Sequence, residues 1–131
     1  MTDNAAGAVV NDWRPRSAPE GVTLRGEYGW LRPLASVDFG DLYTATHADG
    51  NADRWTYMAD GPFPTQAALG SFLASAITNP QVVQFVAGRN GHPAEGVVSL
   101  MRIDTDNGSV EVGSIVYGAQ LAKSTAATEI M

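Results

Sequence analysis

The sequence contains no cysteine, which excludes disulfides, thiolate metal centres and cysteine nucleophiles. Basic residues are scarce, with eight Lys and Arg against fourteen Asp and Glu, for a formal net charge of -6. Nucleic-acid binding needs clustered cations and these eight are scattered, so no nucleic-acid partner is expected. The two histidines, His47 and His92, have no acidic partner at ligand spacing, and both read as solvated loop residues rather than metal ligands. No metal is expected. No apolar run nears the roughly 18 residues of a membrane span. The opening "MTDNAAGAVVNDWRPRSAPEG" has no basic leader before its short apolar patch, so a signal peptide is not expected and cytoplasm is the default location.

What is present suits one folded domain: 131 residues, 44% hydrophobic and 17% charged, enough to bury a core. Residues 1–21, rich in Ala, Pro, Asn and Asp, read as a flexible N-terminal arm that Trp13 anchors, with the domain proper at 22–131. "VTLRGEYGWLRPL" (22–34) reads as a strand or bulged hairpin that Pro33 ends. Ser36 is the expected N-cap of a short amphipathic helix over 36–48, with Asp38 in its first turn. A long polar connection follows at 47–64, a length that often carries function.

The clearest helix starts at Thr65, with Leu69, Phe72, Leu73, Ala76 and Ile77 on one face, and stops at Asn79-Pro80. Gly70 weakens it by about 1 kcal/mol relative to Ala. Strands are then predicted at 81–87, 95–103 and 109–117, joined by tight turns, the second carrying Asn107-Gly108. Tight turns imply antiparallel pairing, with helices on the sheet faces. The class is α+β.

Most short motifs dissolve on inspection. Gly113 and Gly118 have phosphate-loop spacing, but Ala119-Gln120 stands where Lys-Ser/Thr is required. "DTDNGS" lacks the later Glu of a calcium loop. Ser114 lacks the glycines of a nucleophile elbow and reads as a small residue in a packed strand. What remains is "GAQLAKSTAATE", a run of small residues opening a helix after a buried strand. Exposed N–H groups at such a start suit a phosphate, and Lys123 adds a positive charge. The alternative is an ordinary small-residue loop closing onto the sheet.

Three stretches, "LRPLASVDFGDLYTATHAD" (31–49), "GVVSLMRID" (96–104) and "VEVGSIVYGAQLAKSTAATE" (110–129), resemble the Gcn5-related N-acetyltransferases, in particular the ribosomal-protein-alanine acetyltransferase-like branch. The resemblance implies a mainly antiparallel mixed sheet with flanking helices, and transfer of an acetyl group from acetyl-CoA to an amine. The acceptor is left open among a protein N-terminus, a small amine and an aminoglycoside-like substrate. It also implies that Ile115, Val116 and Tyr117 pair with the pantetheine arm of acetyl-CoA. The pyrophosphate would meet the main chain of Leu121, Ala122, Lys123, Ser124, Thr125, Ala126, Ala127 and Thr128. The family pattern has Gln/Arg at the position of Ala122 and Gly at that of Thr125, so the loop departs from it at both.

Acetyl transfer needs a deprotonated amine, a held thioester carbonyl and a proton for the leaving thiolate. Glu111 is the candidate base, against the alternative of a solvated strand carboxylate. The backbone near Val116 or Tyr117 would polarise the carbonyl, and Tyr117 is the nearby acid candidate or else a lining aromatic. Asp53, Trp55 and Tyr57 lie in the segment where the branch shapes its acceptor site, although Trp55 suits packing that pins a long loop equally well. The family pattern continues past Met131 with further strands and a helix. The expectation is therefore a truncated copy with impaired activity. The alternatives are a non-catalytic remnant and a module completed by a second copy or another chain that covers the open sheet edge.

Overall fold

The computed structural model describes residues 6–48 and 52–131. The first five residues of the expected arm and residues 49–51 of the expected 47–64 connection lie outside the described residues.

Five strands form one sheet in the order β1-β2-β3-β4-β5, every neighbouring pair antiparallel. β1 (Leu24–Arg25) and β2 (Gly29–Pro33) make the hairpin expected of 22–34. A tight turn at Ser36–Asp38 leads into α1 (Phe39–His47). Ser36 does not cap it. The buried carboxylate of Asp38 instead accepts the N–H of Ala35 at 2.9 Å and a two-pronged contact from Arg32 at 2.6 and 2.8 Å, fixing the step from strand to helix.

After a second tight turn at Ala52–Trp55 comes α2 (Gln66–Ile77), whose Thr65 hydroxyl accepts the N–H of Ala68 at 3.1 Å. Such a cap stabilises a helix by about 1 kcal/mol. The expected cost of Gly70 has a return: a Cβ there would come within 3.0 Å of the Phe39 ring, so its absence lets α1 and α2 approach.

β3 (Val83–Arg89), β4 (Gly96–Asp104) and β5 (Ser109–Tyr117) complete the sheet. β3 starts two residues later than its sequence suggests, because Asn79 holds the N–H groups of Gln81 and Val82 in a turn with its side chain and its carbonyl. The helical run expected after β5 is two short pieces, α3 (Ala119–Ala122) and α4 (Thr125–Ile130). Ser124, extended at φ -111°, breaks it while its hydroxyl donates to the Leu121 carbonyl at 2.7 Å.

The two sheet faces are unequal. α1, α2 and the 52–64 segment cover one, burying Leu42, Trp55, Leu69, Leu73, Val86, Val97 and Val116. α3 and α4 cover part of the other with a smaller cluster of Ala87, Leu121 and Ala126, beside Leu31, Tyr117 and Ile130. There Glu129 accepts the N–H groups of Glu27, Tyr28 and Gly29 at 2.9–3.0 Å, tying the last helix to the first hairpin. The N–H groups of Tyr28 and Gly29 hold its carboxyl below the usual range. Of the arm, the Trp13 indole donates to the Asp106 carbonyl at 2.7 Å and its ring lies over Gly108, so this part runs along the β4–β5 turn. Among the described residues no helix is long and apolar enough to cross a membrane.

Candidate active site

β4 and β5, at one edge of the sheet, pair with an irregularity toward the start of β4 and the end of β5. Val97 faces Val116 and Ser99 faces Gly113, so Ser114 and Ile115 stand opposite the single residue Val98. Such a bulge bends its strand and re-aims a side chain. Ser114 carries the distortion at φ +47°, a conformation worth of order 1–3 kcal/mol in strain for a residue with a Cβ. β5 is the last strand, and among the described residues nothing pairs with its outer edge. A second irregularity, with Arg102 at φ +50°, twists the far end of the hairpin.

Beside the bulge, on the α1/α2 face, lies a cavity of about 260 Å³. The sheet contributes Gln84, Val97, Ser114 and Val116, and α1 contributes Leu42 and Thr46. Leu69, Phe72 and Leu73 of α2 close a second side, and the segment from Trp55 to Asp60 forms the third.

That third wall is pinned by His47. Its ring stacks on Tyr43 at 4.5 Å and lies 5.1 Å from the Trp55 ring, while Trp55 meets Phe63 edge-on at 5.4 Å. The Thr46 hydroxyl donates to the Leu42 carbonyl at 2.7 Å, so it accepts from His47 Nδ1–H, 2.9 Å away, and Nε2 is left to accept the Phe63 N–H at 2.9 Å. The imidazole is thereby specified neutral with its proton on Nδ1. Burial pushes its pKa down, against a contact with the Tyr43 carbonyl that favours the charged form. His47 is not the solvated loop residue its sequence suggests: it ends α1 and organises an aromatic cluster.

The structure brings some of the expected site residues together and separates others. Trp55 is buried, donates its indole N–H to the Thr46 carbonyl at 3.2 Å and lines the cavity, so it pins the loop and shapes the pocket at once. Tyr57 lines the rim, almost wholly exposed, whereas Asp53 is exposed and not part of the lining. Val116 faces the cavity. By register Glu111 shares that face, since it pairs with Met101 two residues from Ser99; it is exposed and ion-paired to Arg102 at 3.1 Å. Tyr117 points to the opposite face, against Gly96 and Leu121. Its hydroxyl is buried with no hydrogen-bond partner among the described residues, and burial pushes its pKa up. Glu111 and Tyr117 are thus not assembled around one reacting point.

Within 121–128, Leu121 and Ala126 are buried, Ser124 and Ala127 half-buried, and Ala122, Lys123, Thr125 and Thr128 exposed. The N–H groups of Ala122, Ser124 and Ala127 are engaged by Gly118, Leu121 and Ser124 carbonyls. Of the lining, only Trp55, Tyr57 and Val116 are site candidates from the sequence; the polar Gln84 and Ser114 are not. Gln84 is one polar position in an apolar strand, and Gly113, an isolated glycine beside Ser114, is the signal that marks the bulge.

No family model and no curated protein sequence matches this chain. Solved structures do. A GCN5-related N-acetyltransferase from Brucella melitensis superposes with a TM-score of 0.86 at 30% identity, covering 92% of this chain and 56% of that one. The fold is that of the GCN5-related N-acetyltransferases. A probable acetyltransferase of this family from Chromobacterium violaceum matches with a TM-score of 0.84 at 21% identity, over 99% of this chain and 66% of its own. Spermidine N-acetyltransferase from Vibrio cholerae, solved with CoA and spermine, matches with a TM-score of 0.60 at 19% identity, over 78% of this chain and 58% of its own. The chain therefore spans between half and two thirds of the length of these acetyltransferases.

Proposed function

We propose that this chain binds acetyl-CoA along the outer edge of β5 and serves acetyl transfer to an amine seated in the cavity. The observation that carries this reading is the bulge at Ser114 and Ile115, set beside the cavity in a strand whose outer edge is unpaired among the described residues, in a fold shared with acetyltransferases. The main chain of Ile115, Val116 and Tyr117 would hold the pantetheine arm, and a backbone N–H near Val116 or Tyr117 would polarise the thioester carbonyl. Residues Leu121 to Thr128 would meet the pyrophosphate, Lys123 supplying the positive charge.

Glu111, on the cavity face, would take the amine proton through a water once released from Arg102. Tyr117 is retained for its main chain, because its hydroxyl lies on the far face. Trp55 and Tyr57 would contact the acceptor. Asp53 would act from outside the cavity, as part of the loop whose Thr56 N–H it holds through its own carbonyl. Membership of the ribosomal-protein-alanine acetyltransferase-like branch is supported by the three sequence stretches.

Thermal-shift titration tests the binding step. Acetyl-CoA should stabilise the chain saturably, and Lys123→Glu should weaken the effect; no stabilisation at millimolar acetyl-CoA overturns the reading. A second reading, an acyl-CoA-binding module that a second copy or another chain completes, is favoured by the unpaired β5 edge. It predicts binding without release of free CoA thiol in the presence of amines.

A further inference from the structure

The cavity walls are mostly hydrocarbon, from Leu42, Leu69, Phe72, Leu73, Val97 and Val116. Among the polar side chains inside the cavity, the hydroxyls of Thr46 and Ser114 already have partners, which sets Gln84 apart. Its Nε2 donates to Ser99 Oγ at 3.4 Å, which orients the carboxamide, and its Oε1 is buried without a hydrogen-bond partner among the described residues. An unpaired carbonyl shielded from water is costly, and a ligand N–H or O–H removes that cost. Among the described residues carboxylates are almost missing from the lining: Asp60, exposed at the rim, is the only one. A polyamine would have to bring several ammonium groups out of water with one carboxylate to meet them. The space suits a different shape. An apolar cavity of about 150 Å³ accepts benzene, so about 260 Å³ accommodates a phenyl-sized body with a short chain.

We propose that this cavity selects a monoamine carried on an uncharged apolar body, of the arylalkylamine class, with Gln84 Oε1 accepting a hydrogen bond from it, and that it discriminates against polyamines. The proposal rests on the acetyl-transfer reading only in making that amine the acceptor. The apolar body packs between Trp55, the α2 side chains and Val97, which leaves Ser114 and Val116 at the end nearest the β5 edge.

The test follows the Trp55 indole N–H resonance, assigned with Trp55→Phe, while phenethylamine or spermidine is added to the 131-residue chain. Phenethylamine should shift the resonance saturably, and spermidine should not. Gln84→Leu should weaken phenethylamine by about three- to tenfold, as expected for one buried hydrogen bond. Ala59→Trp, at an exposed position of the lining, should block entry without altering the core. Tighter binding of spermidine, or phenethylamine binding indifferent to both substitutions, overturns the proposal. A parallel acetyl-CoA titration separates the two readings. Loss of acetyl-CoA binding with amine binding intact removes only the transfer reading, and the reverse removes only this one.

Discussion

The two faces of the sheet are held by different means. On the α1/α2 face, large side chains and an aromatic cluster enclose a cavity rather than fill it. On the other, a smaller apolar cluster around Leu121 and one carboxylate clasp bring α3 and α4 onto the first hairpin. The first face spends its packing on a shaped void, and the second closes the chain with polar contacts at little apolar cost. Close packing is thus concentrated in the walls that a ligand would press against, where loss of side-chain volume cannot be absorbed.

The sharpest way to break this contrast is to delete one fully buried leucine from each face. Leu42→Ala should cost toward the upper end of about 2–5 kcal/mol, because it widens an existing cavity between two helices and the sheet. Leu121→Ala should fall at the lower end, since a helix of four residues can relax into the gap. Urea unfolding of both variants measures the difference, and equal losses would erase the distinction.

Acid should then separate the faces by pH. The folded pKa of His47 is depressed, so the unfolded chain takes up this proton first. Stability present above the ordinary histidine value, about 6.5, is lost as pH falls from there through the folded value. Protonated Nε2 would also confront the Phe63 N–H with a second donor. Amide exchange in the 52–64 segment should therefore rise in this window, while His47→Gln removes the pH dependence. Unchanged exchange down to the carboxylate range would sink this account of the loop.

The smallest effect belongs to Glu129, whose carboxylate is exposed to solvent. Its folded pKa is also depressed, so its contribution is present above the ordinary carboxylate value and lost as pH falls through the folded one. Exchange at Glu27, Tyr28 and Gly29 should increase in that lower window, and Glu129→Gln should raise it at neutral pH with little change in the 52–64 segment.

Much of this architecture is legible in the chain itself. The bounds of β5, the Thr65 cap and the α1–α2 helical pair follow from periodicity and turn chemistry, because each is decided by residues close in sequence. The site was legible only at its edges. Trp55 and Tyr57, singled out from the sequence, line one wall of the cavity, yet the cavity needs three elements to meet, and no local pattern encodes their meeting. His47 looked solvated because its partners, Phe63 and Thr46, act through geometry rather than through acidic or metal-binding neighbours. The break at Ser124 escaped notice because a helical composition on both sides masks one extended residue.

The extra residue at Ser114 also changes how the hairpin must be counted. Glu111 and Val116 are an odd number of positions apart and still share a face, because the bulge switches the parity of alternation between them. Removing a single residue at 114 would leave the two four positions apart, so regular alternation would keep both on the cavity side while the bend between them is lost. For this hairpin the place of a one-residue deletion therefore decides its outcome: at the bulge it straightens the strand with every side chain on its own side, and in the regular part of β5 before the bulge it shifts which side chains reach the cavity.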